Sequence, residues 1–364
     1  MLKGLVLENF KCFDEMKLSF STLNVLTGLN GMGKSTVMQG ILLLGQSQNS
    51  IMSEQVLSLK GKYVNLGVGQ DVLFEKAEKD EIGIGVWTEN TKEQYLFRYQ
   101  PETDVLPLKS MDKNMNTNVY SAWENRLSYL SAYRIAPQFL YHLENEEEVS
   151  ERYFAKNGEF AIQYLKLHGG DDVINSTVLI GNNKKTIADQ VKAWMDLISP
   201  GVSPIITINT SSRTAELKYE YIEGRDKTNS YKSVNVGFGI TYVLPVVVTL
   251  ISAKPGDIIL LENPEAHIHP KGQRMLGELL AAAGAGGVQV ILETHSDHVM
   301  NGIRVAVKKG KIEPQNTRFF YFYKDINDSY RHKVICPVLD EYGRLNEWPE
   351  GFFDEWDNAL LELL

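Results

Sequence analysis

The stretch TGLNGMGKST, residues 27–36, constrains this chain more than any other. Three glycines and a lysine stand between an apolar strand-like run, LNVLT, and an apolar helix-like run in which Val37, Ile41, Leu42 and Leu44 recur near one side. Gly28, Gly33, Lys34 and Ser35 satisfy the spacing G-x-x-x-x-G-K-[ST]. Glycines let backbone N–H groups turn toward phosphate oxygens, and the helix N-terminus adds a favourable field. The lysine neutralises the β and γ oxygens and the serine hydroxyl binds Mg²⁺, so Asn30, Gly31, Gly33, Lys34, Ser35 and Thr36 form the candidate nucleotide cradle. A plain glycine-rich turn before a helix is the alternative.

Such a cradle needs a second acid to hold Mg²⁺ and a group to position water. In DIILLENPEAHIHP, the unbroken apolar run from Ile258 to Leu261 reads as a buried parallel strand whose carboxyl end faces a ligand crevice. Glu262 follows directly and is the candidate Mg²⁺ partner, together with Ser35. Downstream, VQVILETHSD is another buried strand ending at His295, which at such a place can reach a γ-phosphate. The bland alternative is a surface histidine beside a helix cap made by Ser296 or Asp297. His267, His269, His295 and His298, near Glu265, Glu293 and Asp297, also leave a metal-hydrolase centre open, although neither H-x-H nor H-x-x-H is the zinc-protease spacing H-E-x-x-H.

The rest of the chain fits a globular α/β protein. Its 364 residues exceed the usual single-core size, and 43% hydrophobic with 23% charged residues argues against disorder. A net charge of −9 disfavours non-specific coating of nucleic acid but leaves a local basic groove open. Two cysteines, Cys12 and Cys336, are too few for a disulfide framework and fit a reducing compartment. MLKGLVLENFKCF reads as a strand and not a signal peptide, and the longest apolar stretch, residues 240–253, contains Pro245 and falls short of a membrane span. A cytoplasmic protein without membrane contact is expected.

Three short strands are predicted near residues 2–10, 16–20 and 23–27, and a hairpin over 81–100 around TENTKE. A helix is predicted in TIADQVKAWMDLISP, with Ile187, Val191, Trp194, Met195 and Ile198 on its core side. A second hairpin, TRFFYFYKDINDSYRHKVICPV, carries Asn327 and Asp328 near its turn, and the acidic run at 144–148 reads as a solvated face. The tail brings together Trp348, Phe352, Phe353 and Trp356 before a predicted helix, with packing on the core favoured over partner docking for such large rings.

Taken together these pieces resemble the ABC-type ATPases of the SMC, RecF and OLD clade, and most closely compact bacterial AAA-family ATPases with a short C-terminal domain of unknown function. LVLENFKCFDE resembles their opening strand, GLNGMGKST their Walker A motif, and NPEAHIHP with ETHSDHV their Walker B extension and switch-histidine loop; YLSAYRIAP and WPEGFFDEW look like further marks. The resemblance implies an α/β P-loop ATPase head with a mixed sheet, an antiparallel β subdomain and a helical insertion. On this reading residues 1–100 form one ATPase lobe, 101–230 a mainly helical insertion, 231–330 the second lobe and 331–364 a C-terminal extension.

It also implies ATP and Mg²⁺ as cofactors and a homodimer or higher homo-oligomer closed by ATP. NVGFGITYVLPVVV is similar to the signature stretch that faces the partner's nucleotide, which makes Gly237, Gly239 and Thr241 candidate contacts; a helix-entry loop within one subunit is the alternative. Three departures stand out. Tyr242 replaces a usual glutamine after Thr241, Tyr133 replaces a usual glutamate before Arg134, and Asn263 occupies the place of the water-activating glutamate. An amide orients water but cannot take its proton, so slow hydrolysis with Glu265 in that role, or ATP as a dimer clamp, is expected. Too few residues follow the histidine loop for the nuclease domain of longer OLD proteins, so the resemblance implies a separately encoded effector such as a nuclease, in defence against phage. A RecF-like role in DNA repair, with nucleic acid as ligand, and a non-hydrolysing ATP-binding module stay open.

Overall fold

The computed structural model describes all residues except 115–125, 147–148, 150–155, 182–183, 224–225, 326–327, 329–330 and 364. Asn327 and two glutamates of the acidic run, Glu147 and Glu148, therefore lie outside the described residues, as does the side chain of Trp356. The chain divides into two compact units: residues 1–127, 317–338 and 345–364 form one, and 128–316 with 339–344 form the other.

In the first unit, the predicted opening strands occur at Gly4–Phe10, Phe13–Ser19 and Leu23–Gly28. The first two join an all-antiparallel six-stranded sheet, continued by Glu81–Trp87, Lys92–Arg98, Val105–Asn114 and Val56–Ser58. The hairpin expected over 81–100 is part of it, with Ile82, Ile84, Val86, Tyr95 and Phe97 buried. Leu23–Gly28 leaves that sheet and runs parallel to Thr317–Asp325, which turns back antiparallel as Arg331–Ile335. The helix Lys34–Ser53 follows the glycine loop, and Val37, Ile41, Leu42 and Leu44 are all buried. Phe352 of the tail is buried against Tyr321, ring centroids 5.5 Å apart, whereas Trp348 is 43% exposed. The predicted terminal helix is Glu355–Leu363.

The second unit holds two parallel strands, Ile258–Glu262 and Gln289–Glu293, in register from Ile258 opposite Gln289 to Glu262 opposite Glu293. Both are apolar on each face, as unbroken hydrophobic runs require of a buried parallel pair. The strand Leu127–Leu130, whose residues from Ser128 belong to this unit, lies beside Ile258–Glu262. Helices Phe238–Ser252, Pro270–Ala285 and Asp297–Lys308 pack here, and all residues from Thr241 to Ser252 of the first are buried. That accounts for the long apolar run at 240–253; no described helix is long and apolar enough to cross a membrane.

The mainly helical character expected for residues 101–230 needs correcting. Helices Ala161–His168 and Ile187–Ile198 are present, but Val105–Asn114, Leu127–Leu130, Tyr141–His142, Val202–Asn209, Thr214–Glu223 and Asp226–Lys227 are strands. In Thr214–Glu223 the residues Ala215, Leu217 and Tyr219 are buried while Glu216, Lys218 and Glu220 between them are not, an alternation that marks a half-buried strand. The helix expected around Trp194 is present, and the Trp194 indole N–H donates to the Val178 carbonyl at 2.8 Å. Trp194→Ala is expected to lower the unfolding free energy by about 3–5 kcal/mol, measured by urea denaturation, because a fully buried ring leaves a cavity. A change within 1 kcal/mol, roughly the scatter of surface sites, would contradict this packing.

Candidate functional site

The phosphate loop belongs wholly to the first unit. Gly28, Gly31 and Gly33 have φ of 133°, 76° and 100°, a region that side chains resist. Space is short as well: a Cβ on Gly28 would lie 2.3 Å from the Phe322 carbonyl oxygen, and one on Gly33 2.4 Å from the Phe13 ring. Gly33 is the N-cap of the following helix and brings no side chain to cap it. The Lys34 ammonium folds back and donates to the carbonyls of Gly28 at 2.9 Å and Leu29 at 2.8 Å. Asn30 and Gly31 are exposed, Ser35 is half-buried, and buried Thr36 accepts from the Cys12 thiol at 3.6 Å. The result is a glycine-rich loop curled around its own lysine at an uncapped helix start, the arrangement that receives an anion.

His332, from the strand Arg331–Ile335, also reaches this loop, and its Nε2 donates to the Gly31 carbonyl at 3.3 Å. Burial and then the nearby Lys324 charge push the ring's pKa below its ordinary value, against the opposing pull of the Gly31 and Cys12 carbonyls.

The second unit gathers Glu262, Asn263, Glu265 and His295 around one turn. The Glu262 carboxylate accepts from the Ala132 amide at 3.0 Å and from the Tyr129 hydroxyl. Asn263 turns the chain with φ 42°, a left-handed conformation that asparagine tolerates. Its amide donates to the Glu293 carbonyl at 2.9 Å, tying the turn to the neighbouring strand end. Glu265 is 6% exposed; its Oε1 accepts from the His295 amide at 3.1 Å, whereas its buried Oε2 has no hydrogen-bond partner. Burial raises the Glu265 pKa above the ordinary carboxyl value, opposed by hydrogen bonds from Thr294 and His295 and by the Arg134 charge. His295 itself is exposed, and Ser296 caps the next helix by accepting from the Val299 amide at 3.0 Å.

Arg134 holds this turn in place. It is 4% exposed and donates to the carbonyls of Ser131 at 2.9 Å, Glu262 at 2.8 Å and Asn263 at 2.5 Å. Its guanidinium carbon lies 4.2 Å from the centre of the Tyr242 ring, whose hydroxyl donates to the Ala132 carbonyl. Of the two departures noted beside Arg134 and Thr241, Tyr242 supplies an aromatic face to Arg134, whereas Tyr133 is 82% exposed. Sequence reasoning singled out Arg134 only as part of a motif; its anchoring of the acidic turn carried no local signal.

The signature-like stretch also packs within its own chain. Gly237 is exposed, but Gly239 and Thr241 are buried, and a Cβ on Gly239 would lie 2.0 Å from the His267 carbonyl oxygen. The close approach that Gly239 permits is therefore to the chain's own acidic loop, and Phe238 and Tyr242 both pack edge-on to the His267 ring. Among the described residues, no three His, Cys, Asp or Glu side chains gather where they could hold a metal ion.

Comparison with known proteins decides the class. A family described as "AAA domain, putative AbiEii toxin, Type IV TA system" matches residues 23–301. The chain belongs to this AAA-domain family. A second family, of proteins of unknown function (DUF3696), matches residues 312–363. The OLD nuclease of Thermus scotoductus is 22% identical over 327 residues, which make up 81% of this chain and 59% of that relative, so the chain spans less than two thirds of the relative's length. Two solved structures are similar in fold. One is an SMC head bound to the C-winged helix domain of ScpA, with TM-score 0.56 and 13% identity, covering 93% of this chain and 98% of that one. The other is an SMC head with an extended coiled coil bound to the C-terminal domain of ScpA derived from Pyrococcus furiosus, with TM-score 0.51, 12% identity and coverages of 100% and 99%. The AAA-domain protein thus has a mixed α/β fold similar to that of the SMC heads.

Two outcomes follow from the acidic turn. Arg134→Met removes three donors and is expected to cost roughly 1–3 kcal/mol for each acceptor left unpaired, read as a lower urea midpoint at unchanged slope. For Glu265, a folded-state pKa above the unfolded one means that stability is highest while the group is protonated and falls as pH rises through the folded pKa. Glu265→Gln keeps an acceptor for the His295 amide, so it is expected to melt above the wild type at neutral pH and level with it near about pH 4. A lower melting temperature at neutral pH contradicts the burial argument.

Proposed function

We propose that the protein is an ATP-driven switch: two copies close on Mg-ATP, slow hydrolysis reopens them, and this cycle gates a separately encoded effector such as a nuclease, in defence against phage. The observation that carries the reading is the phosphate loop, with three left-handed glycines and an inward-folded lysine at an uncapped helix start. The residues fit the nucleotide. Asn30, Gly31, Gly33 and Thr36 offer backbone amides to the phosphates, Lys34 neutralises their charge, and the Ser35 hydroxyl is an oxygen ligand of the kind that Mg²⁺ takes; Glu262, in the second unit, is a carboxylate of the kind that Mg²⁺ takes. Magnesium, when bound, would offset negative charge on the β and γ oxygens.

Within the acidic turn, Asn263 has no basic atom, so proton transfer falls to Glu265. Its unpartnered Oε2 takes the proton from the attacking water, and the raised pKa makes this carboxylate a stronger base than an exposed one. His295 stands as the γ-phosphate sensor, and exposed Gly237 and Phe238 as the surface offered to the second copy. Gly239 and Thr241 act by shaping that surface from beneath, since both are buried. The OLD nuclease relative supports a link to nucleic-acid metabolism, and the family description supports a defence role.

A second reading, ATP as a clamp without turnover, is favoured by Asn263 at the usual glutamate position. Phosphate release and mass in solution separate the two. On the first reading Mg-ATP doubles the mass, phosphate is released at a low rate, and Lys34→Ala abolishes both. Glu265→Gln lowers turnover at least tenfold and removes the rise in rate with pH, while leaving the mass change intact. Dimerisation without phosphate release supports the clamp; an unchanged mass with ATP contradicts both.

A further inference from the structure

The segment matched to a family of unknown function contributes directly to the phosphate loop. Its first strand runs beside Leu23–Gly28 with Phe322 opposite Gly28, and the Phe322 carbonyl fills the space that a Cβ on Gly28 would need. The second strand brings His332 to the loop tip, where Nε2 donates to the Gly31 carbonyl at 3.3 Å. The imidazole is held edge-on to Phe13, with centroids 6.0 Å apart and planes at 84°. Phe13 in turn packs beside Gly33, where an added Cβ would meet its ring. His332, Phe13 and Phe322 therefore back the loop at three of its glycines or their neighbours.

A trans peptide points its carbonyl and the following N–H in opposite directions. Fixing the Gly31 carbonyl toward His332 therefore fixes the Met32 N–H away from His332. We propose that His332 is a positioning residue of the nucleotide site: by donating to the Gly31 carbonyl it holds the Gly31–Met32 peptide with the Met32 N–H directed at the bound phosphates. The proposal rests on the reading of the loop as an ATP site. It gives the C-terminal segment a defined task, that of presetting one of the amides on which phosphate binding depends. His332 does not touch the nucleotide in this account; it acts through Gly31.

The test compares full-length wild type with His332→Phe, which keeps a ring against Phe13 but lacks the donor, and His332→Gln, whose amide nitrogen offers a donor at similar reach. Mg-ATP and Mg-ADP affinities are measured by fluorescence titration with unfolding temperature as the folding control. The expected result is affinity for both nucleotides weakened about 3- to 10-fold in His332→Phe, the range of one lost hydrogen bond, and restored to within about twofold in His332→Gln. Should His332→Phe not fold, His332→Asn, with an amide too short to reach Gly31, takes its place with the same expected loss. Wild-type affinity in the donor-less variant, or equal loss in both variants, overturns the proposal while leaving the ATP site standing. No binding by folded wild type removes the ATP site itself, and the proposal with it.

Discussion

A buried ammonium group organises the phosphate loop. Lys34 donates to the carbonyls of Gly28 and Leu29, so the chain curls around its own cation. The curl demands positive φ at Gly28, Gly31 and Gly33, and the approach of Phe322 and Phe13 leaves no space for a Cβ at the first and last of these. The helix then begins without a capping side chain, and the loop's amides and lysine form a concentrated positive field. Hydrophobic burial of Val37, Ile41, Leu42 and Leu44 holds that helix start fixed. Preorganisation of this kind is what makes charge recognition strong, because the groups need not reorient when the anion arrives.

A buried guanidinium does the corresponding work in the second unit. Arg134 binds the carbonyls of Ser131, Glu262 and Asn263 and lies over the Tyr242 ring. It thereby stabilises a left-handed asparagine and sets the direction of Glu262, while Glu265 reaches across to the His295 amide. The acidic turn and the histidine loop are thus one hydrogen-bonded assembly, and a change at either reaches the other. The cost is a carboxyl group held at 6% exposure with one oxygen unpartnered.

Much of this was readable from residue order because the signals were local. The glycine spacing, the apolar run from Ile258 to Leu261 and the stripe through Trp194 each lie within one element, and each proved to be the loop, buried strand and helix expected. Thr214–Glu223 was legible in principle, since Ala215, Leu217 and Tyr219 alternate, but the resemblance placed this stretch in a mainly helical insertion. The contacts that position the site are a different matter. Tyr242 meets the segment at Ala132 and Arg134 across about a hundred residues of chain, and His332 meets Gly31 across 301 positions. A lone histidine in a polar hairpin bears no mark of such a role. Gly239 is a related case: the sequence announces a close backbone approach without naming the backbone, and within the chain that of His267 is near it.

In the proposed switch, triphosphate settles on the amides and ammonium group between Gly28 and Ser35. Isothermal calorimetry of the full-length protein with Mg-ATP tests it most directly, with Lys34→Ala as the control. A saturable heat is expected in the wild type and its disappearance in the folded variant. A wild type that is folded and releases no heat, or a variant that binds as the wild type does, contradicts it.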